Sequence, residues 1–195
     1  MAALAAVAGA LLAASVAGVA PAVGPRPPAG PAPAVPPPAA ALGRLPLAFE
    51  ANTGQFDPEV RFAARTPGQQ VALTADGMLV APAGLRLQLD GARADPEIAG
   101  VGRLEASVSH FRGGDPAGWR TAVPTFGAVR YHDVYPGIDL VFHGHGRDVE
   151  HDFVVAPGAD PSSIGFTVSG AAPPVIDAAG DLVVGDVRLR APVLY

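Results

Sequence analysis

The stretch IDLVFHGHGRDVEHDFVV, residues 138–155, decides the fold. Two apolar runs of strand length flank Gly144-His145-Gly146, and the glycines permit the positive φ that a tight reversal requires. The stretch reads as a β-hairpin, with His143 and His151 near the strand ends and His145 on the turn. Outward from it the same period of two recurs. Leu85, Leu87 and Leu89 alternate with Arg86, Gln88 and Asp90, and Val187 and Leu189 alternate with Asp186, Arg188 and Arg190. Further strands are predicted over 60–65, 69–74, 77–81, 104–111, 126–132, 164–168 and 181–184. Pro67-Gly68, Asp76-Gly77, Gly113-Gly114, Pro136-Gly137, Pro157-Gly158 and Gly180-Asp181 punctuate them. No helical i, i+3, i+4 pattern runs free of Gly and Pro for three turns, so the crossover helices of a parallel α/β sheet are missing. The prediction is an all-β domain, an antiparallel β-sandwich of many short strands.

Composition changes sharply upstream of this domain. The first charged residue is Arg26, and residues 1–22 are nearly all Ala, Val, Leu and Gly. This apolar segment ends in Ala20-Pro21-Ala22, the small-x-small spacing of a signal-peptidase site, and reads as a signal peptide although no basic residue opens it. An uncleaved N-terminal membrane anchor is the alternative. Residues 23–43 form a Pro/Ala-rich linker. Nine prolines between Pro21 and Pro38 deny this part of the chain both helix and sheet ladder, and leave an extended spacer. Residues 44–195 are the β-rich domain, with 12 Arg against 18 acidic residues scattered along it. The protein is expected to be secreted or displayed on the cell surface.

The 195 residues include no Cys, and all 13 basic residues are Arg. Disulfide scaffolds, cysteine metal sites and thiol nucleophiles are therefore excluded. A Schiff-base lysine and the P-loop lysine are excluded as well. A net charge of −5 argues against a duplex nucleic-acid binder.

The hairpin carries the one cluster with chemical potential: Asp139, His143, His145, Asp148, Glu150, His151 and Asp152. Imidazole and carboxylate suit Zn²⁺, but no helix-borne spacing accompanies them, and polar residues at a hairpin tip also serve solubility. Asp139 and Glu150 are the carboxylate couple a glycosidase would need. No nucleophile elbow G-x-S-x-G and no EF-hand loop occurs. Asp57-Pro58-Glu59, Asp95-Pro96-Glu97 and Asp160-Pro161 read as turn starts rather than as calcium ligands. Trp119, the single Trp, reads as a core plug whose ring nitrogen reaches a backbone carbonyl; with Tyr131 and Tyr135 it is alternatively a sugar-stacking platform.

Four stretches, residues 45–68, 113–129, 130–142 and 150–161, together resemble a known family. Within them stand N-x-G-Q at Asn52 to Gln55, W-R-T-x-V-P at Trp119 to Pro124 and D-V-Y-P-G-I-D at Asp133 to Asp139. They are similar to the uncharacterised bacterial domain that precedes SBBP-type β-propeller repeats in exported, surface-associated proteins. The resemblance spans nearly all of residues 44–195 and implies an extracellular β module without assigned catalytic residues. Family members tend to carry Tyr where this chain has His143 and His151, so both positions read as packing sites holding another flat ring. The chain also stops where relatives run on, so the domain is expected to lack its last strands and to expose an edge.

The expectation is thus a non-catalytic extracellular module with a structural or adhesive role, with no catalytic, cofactor or metal residues. Its partners are an extracellular protein or glycan and C-terminal propeller-type repeats. A carbohydrate-binding module is the first alternative. The second is a metal-dependent hydrolase centred on Asp139, His143, Glu150 and His151.

Overall fold

A computed structural model describes residues 7–13, 47–146, 148–191 and 193–194. The linker lies outside these residues, as does the leader apart from residues 7–13. The strands are β1 (Val7–Ala13), β2 (Phe49–Ala51), β3 (Val60–Thr66), β4 (Gln69–Thr74) and β5 (Gly77–Ala81). Next come β6 (Leu85–Leu89), β7 (Glu97–His110), β8 (Arg120–Tyr135), β9 (Ile138–His145) and β10 (Asp148–Val155). The last are β11 (Phe166–Ser169), β12 (Val175–Ile176), β13 (Leu182–Val184), β14 (Val187–Leu189) and β15 (Val193–Leu194). Two single 3₁₀ turns, Pro116–Gly118 and Pro161–Ser163, are the helical segments among the described residues. Both begin at an Asp whose carboxylate accepts an amide two residues on, Asp115 from Ala117 and Asp160 from Ser162.

The all-β, antiparallel prediction holds. The two separate sheets of the expected sandwich are instead one continuous hydrogen-bonded sheet. Its branch point is β8. Phe126 pairs with Arg103 of β7 and with Phe49 of β2, while Tyr131 pairs with Ile98 of β7 and with Leu140 of β9. Since a strand has two edges, β7 fills one edge of β8, and β2 and β9 share the other, end to end. Gly144 shows how closely they abut, because a methyl group there would fall 2.5 Å from the Leu47 Cβ. From this junction one wing runs β2-β3-β4-β5-β6-β11 and the other β9-β10-β1-β14-β13-β12.

The wings curl toward one another over a single core. In a flat sheet three ladder steps place β8 about 14 Å from β4. Yet the Tyr131 hydroxyl lies 2.7 Å from the Thr74 carbonyl oxygen. The far ends of the wings also meet. A Cβ on Gly170, just after β11, would fall 2.6 Å from Val184 of β13 and 3.6 Å from the Leu85 Cα of β6. Register shifts between Val60 and Phe62, between Arg103 and Ser107, and between Tyr131 and Tyr135 supply the local bends that curling needs. The enclosed core joins Phe49, Leu73, Leu85, Tyr131, Ile138 and Phe142 with Val187 and Leu189. Each such side chain contributes roughly 1.5–3 kcal/mol on burial.

Candidate functional site

Strand alternation divides the hairpin cluster between two faces. On β9 Ile138, Leu140 and Phe142 are buried, and on β10 Val149, His151, Phe153 and Val155. His151 therefore belongs to the core. Its ring lies 5.7 Å from that of Phe142 and meets Phe153 edge-on at 6.0 Å. Burial lowers its pKa to about 4, the carboxylate of Asp152 opposing this and His143 adding to it, so the imidazole is neutral near pH 7. This is the flat-ring packing expected at that position.

His143 differs. It stands on the outer face with Nε2 2.7 Å from Asp152 Oδ2 and Nδ1 3.7 Å from Glu150 Oε2. Its neighbour His145 ends β9 opposite Asp148, with Nδ1 3.9 Å from Glu150 Oε1, and is 76% exposed. The ladder runs on to His145 opposite Asp148, past the Gly144-His145-Gly146 turn expected, and Gly144 is held in the strand against Leu47.

Asp139 is elsewhere again. Its carboxylate accepts the Asp133 amide at 2.6 Å and pairs with Arg130. Burial raises its pKa, and the Asp133 amide and Arg130 outweigh this, so the carboxyl titrates below its usual range. In the ladder Asp139 is opposite Val154 and Glu150 opposite His143. Four residues of strand, about 14 Å of backbone, therefore separate the two positions, which do not oppose one another across the hairpin. Among the described residues no group of three or more His, Asp or Glu is placed to hold a metal ion. Asp139, His143, Glu150 and His151 are thus not brought to one point: His151 faces the core, and Asp139 stands along the strand from His143 and Glu150.

The three family blocks act through hydrogen bonds within the fold. Asn52 Oδ1 accepts the Gly54 and Phe56 amides, and its Nδ2 donates to the Asp57 and Val60 carbonyls, each at 2.8 Å. Buried Gln55 donates to the Ala51 carbonyl at 2.7 Å and accepts the Thr53 amide. Arg120 reaches back to the Thr53 carbonyl at 3.0 Å, which joins the second block to the first. Asp133, at φ 51°, accepts the Gly137 amide and pairs with Arg93, while Asp139 closes the loop onto the Asp133 amide. Asp57 likewise accepts the Glu59 amide, the turn role expected of Asp-Pro.

Two features were not visible in the sequence. The first is a buried carboxylate–imidazole pair. Glu50 Oε2 lies 2.5 Å from His110 Nε2, with Arg65 Nε 3.4 Å from the other oxygen and Phe56 edge-on to the imidazole. Glu50 and His110 are 60 residues apart, and no local pattern announces their meeting. The pair ties the C-terminal end of β7 to β2.

The second is the ribbon formed by β7 and the N-terminal half of β8. Along β7 most side chains are exposed, including Val101 and Val108. At the tip Phe111 and Trp119 meet edge-on, with centroids 5.2 Å apart and planes at 89°. Phe111 is 64% exposed and Trp119 37%. Trp119 is therefore not the core plug expected, although its Nε1 does donate to the Gly113 carbonyl at 3.3 Å. The ribbon carries it outward because Gly113-Gly114-Asp115-Pro116 turns the chain beyond the edge of the core. Tyr131 and Tyr135 are both buried in the body, so the three rings form no common platform.

The fold and its hydrogen-bonded motifs define a curled antiparallel β module with an exposed aromatic pair at the β7–β8 turn. The chain belongs to the family described as domain of unknown function DUF7948, whose model matches residues 80–195. That span includes the W-R-T-x-V-P and D-V-Y-P-G-I-D blocks and begins after N-x-G-Q. No curated protein and no solved structure matches the chain.

Proposed function

We propose that the chain is a non-catalytic extracellular module of a bacterial exported protein, secreted or held at the cell surface, with a structural or adhesive role. In longer proteins of this kind it stands beside propeller-type repeats. The observation that carries the reading is the ribbon tip. Phe111 and Trp119 are large apolar rings held out of the core by a braced turn, and exposed aromatic pairs make productive contact sites. The apolar leader and the proline tract support export and display. The motif carboxylates and amides support a structural role, since they are engaged by the chain's own amides, carbonyls and arginines.

A carbohydrate-binding module is the second reading, favoured by the exposed indole of Trp119. Expression in a bacterial host with fractionation and N-terminal sequencing tests export. The reading predicts mature protein starting near Pro21–Val23 outside the cytoplasm; retention of intact chain in the cytoplasm contradicts it. A glycan array on the purified chain, with Trp119→Ala as control, separates protein contact from sugar contact.

A further inference from the structure

We propose that the slot between β10 and β14 is a strand-acceptor site for an extended segment of a partner polypeptide with Ala or Gly at alternate positions. Val7–Ala13 is the strand that the chain itself lodges there. β1 is antiparallel to β10 from Val7 opposite Val154 to Leu12 opposite Val149. Its other edge meets β14 at Leu12 and Ala13 and β15 at Ala8 and Gly9. Among the described residues β10 and β14 are joined only through β1. Without a strand in the slot, both would present bare amides and carbonyls beside Val149, His151, Phe153, Val187 and Leu189, all buried. Unpaired backbone groups next to an apolar core are costly and are satisfied by strand addition.

The register states what the slot accepts. Ala8 and Ala10 are the partners of Phe153 and His151, so small residues are matched to the two large rings. Ladder hydrogen bonds supply attachment, and the alternate small positions supply selectivity. Val7–Ala13 lies upstream of Ala20-Pro21-Ala22. Resting on the export reading above, leader removal vacates the slot, and the mature module takes a strand from another chain.

The full chain has no Cys, so a paired Cys substitution tests the slot cleanly. Gly9→Cys with Asp152→Cys, register partners, is expected to oxidise to an intramolecular disulfide, because directly opposed antiparallel residues lie within disulfide reach. Gly9→Cys with Glu150→Cys, two positions out of register, is expected not to. Absence of the first bridge, or equal yields of both, overturns the proposal. In trans, a fluorescein-labelled peptide of residues 5–15 is titrated into full chains with and without Ala10→Pro, which disables the resident strand. Binding at least tenfold tighter to the Ala10→Pro chain is expected, with at least a tenfold loss for a peptide carrying Ala8→Trp and Ala10→Trp. Equal binding to both chains, or by both peptides, overturns it. Where Ala10→Pro prevents folding, the Gly9→Cys with Asp152→Cys bridge in the full chain decides, and its absence overturns the proposal. None of these readouts depends on export, so a cytoplasmic protein would refute the function while leaving the slot intact.

Discussion

The Tyr131 hydroxyl on β8 donates to the Thr74 carbonyl of β4 at 2.7 Å, joining strands that two others separate in the ladder. Burial pushes the phenol far above its ordinary pKa, so it remains a donor across the accessible pH range. One side chain therefore bridges the curl of the sheet.

Tyr131→Phe keeps the ring and leaves the Thr74 carbonyl without that donor. A loss of about 1–3 kcal/mol is expected in urea unfolding, with an unchanged m-value. A neutral result would mean that the curl does not depend on this bond.

His151 makes the fold acid-sensitive. Its pKa of about 4 in the folded chain lies below the ordinary histidine value of 6.5, so the unfolded chain binds more protons between these values. The neutral ring's contribution is complete above about pH 6.5 and is lost as pH falls toward 4, on the order of 3 kcal/mol in all. Comparing wild type with His151→Phe between pH 7 and 4 checks this. The variant should lack that component, and parallel curves would refute it.

Gly144 is the point where the wings abut. Gly144→Ala places a methyl 2.5 Å from the Leu47 Cβ, and overpacking of this kind costs about 1–3 kcal/mol. Thermal unfolding should show the loss, and the loss should be smaller in a chain that also carries Leu47→Gly, which removes the Cβ the new methyl meets.

Glu50 is buried, with His110 2.5 Å and Arg65 3.4 Å from its carboxyl oxygens. His110→Ala removes the closer partner and should cost about 1–3 kcal/mol, the penalty for leaving a buried polar group without its hydrogen bond. Hydrogen exchange should then rise along the distal part of β7, which this pair anchors, while β9 and β10 stay protected.

Much of the fold was legible because period two survives wherever one face is buried. The strands at 69–74, 77–81 and 187–189 fall where alternation and turn residues put them. The N-terminal end of β7 is hidden from the pattern, since Glu97 to Arg103 has no fully buried side chain and so no alternating apolar face to betray it. β2 is only three residues long, too short to register a period. Alternation did place His151 and His143 on opposite faces once the register was known, but composition alone grouped them. Trp119 misled because indoles are usually buried. Its exposure follows from its place in the β7–β8 connection, outside the packed core, a tertiary property that no local window contains.

Trp119 is the protein's single indole, so its fluorescence in the full chain reports on the ribbon tip alone. A tip held free of the core predicts red-shifted emission that iodide quenches readily, with quenching reduced by Phe111→Ala neither in rate nor in extent. Blue-shifted emission resistant to iodide would place the indole in the core and contradict the account.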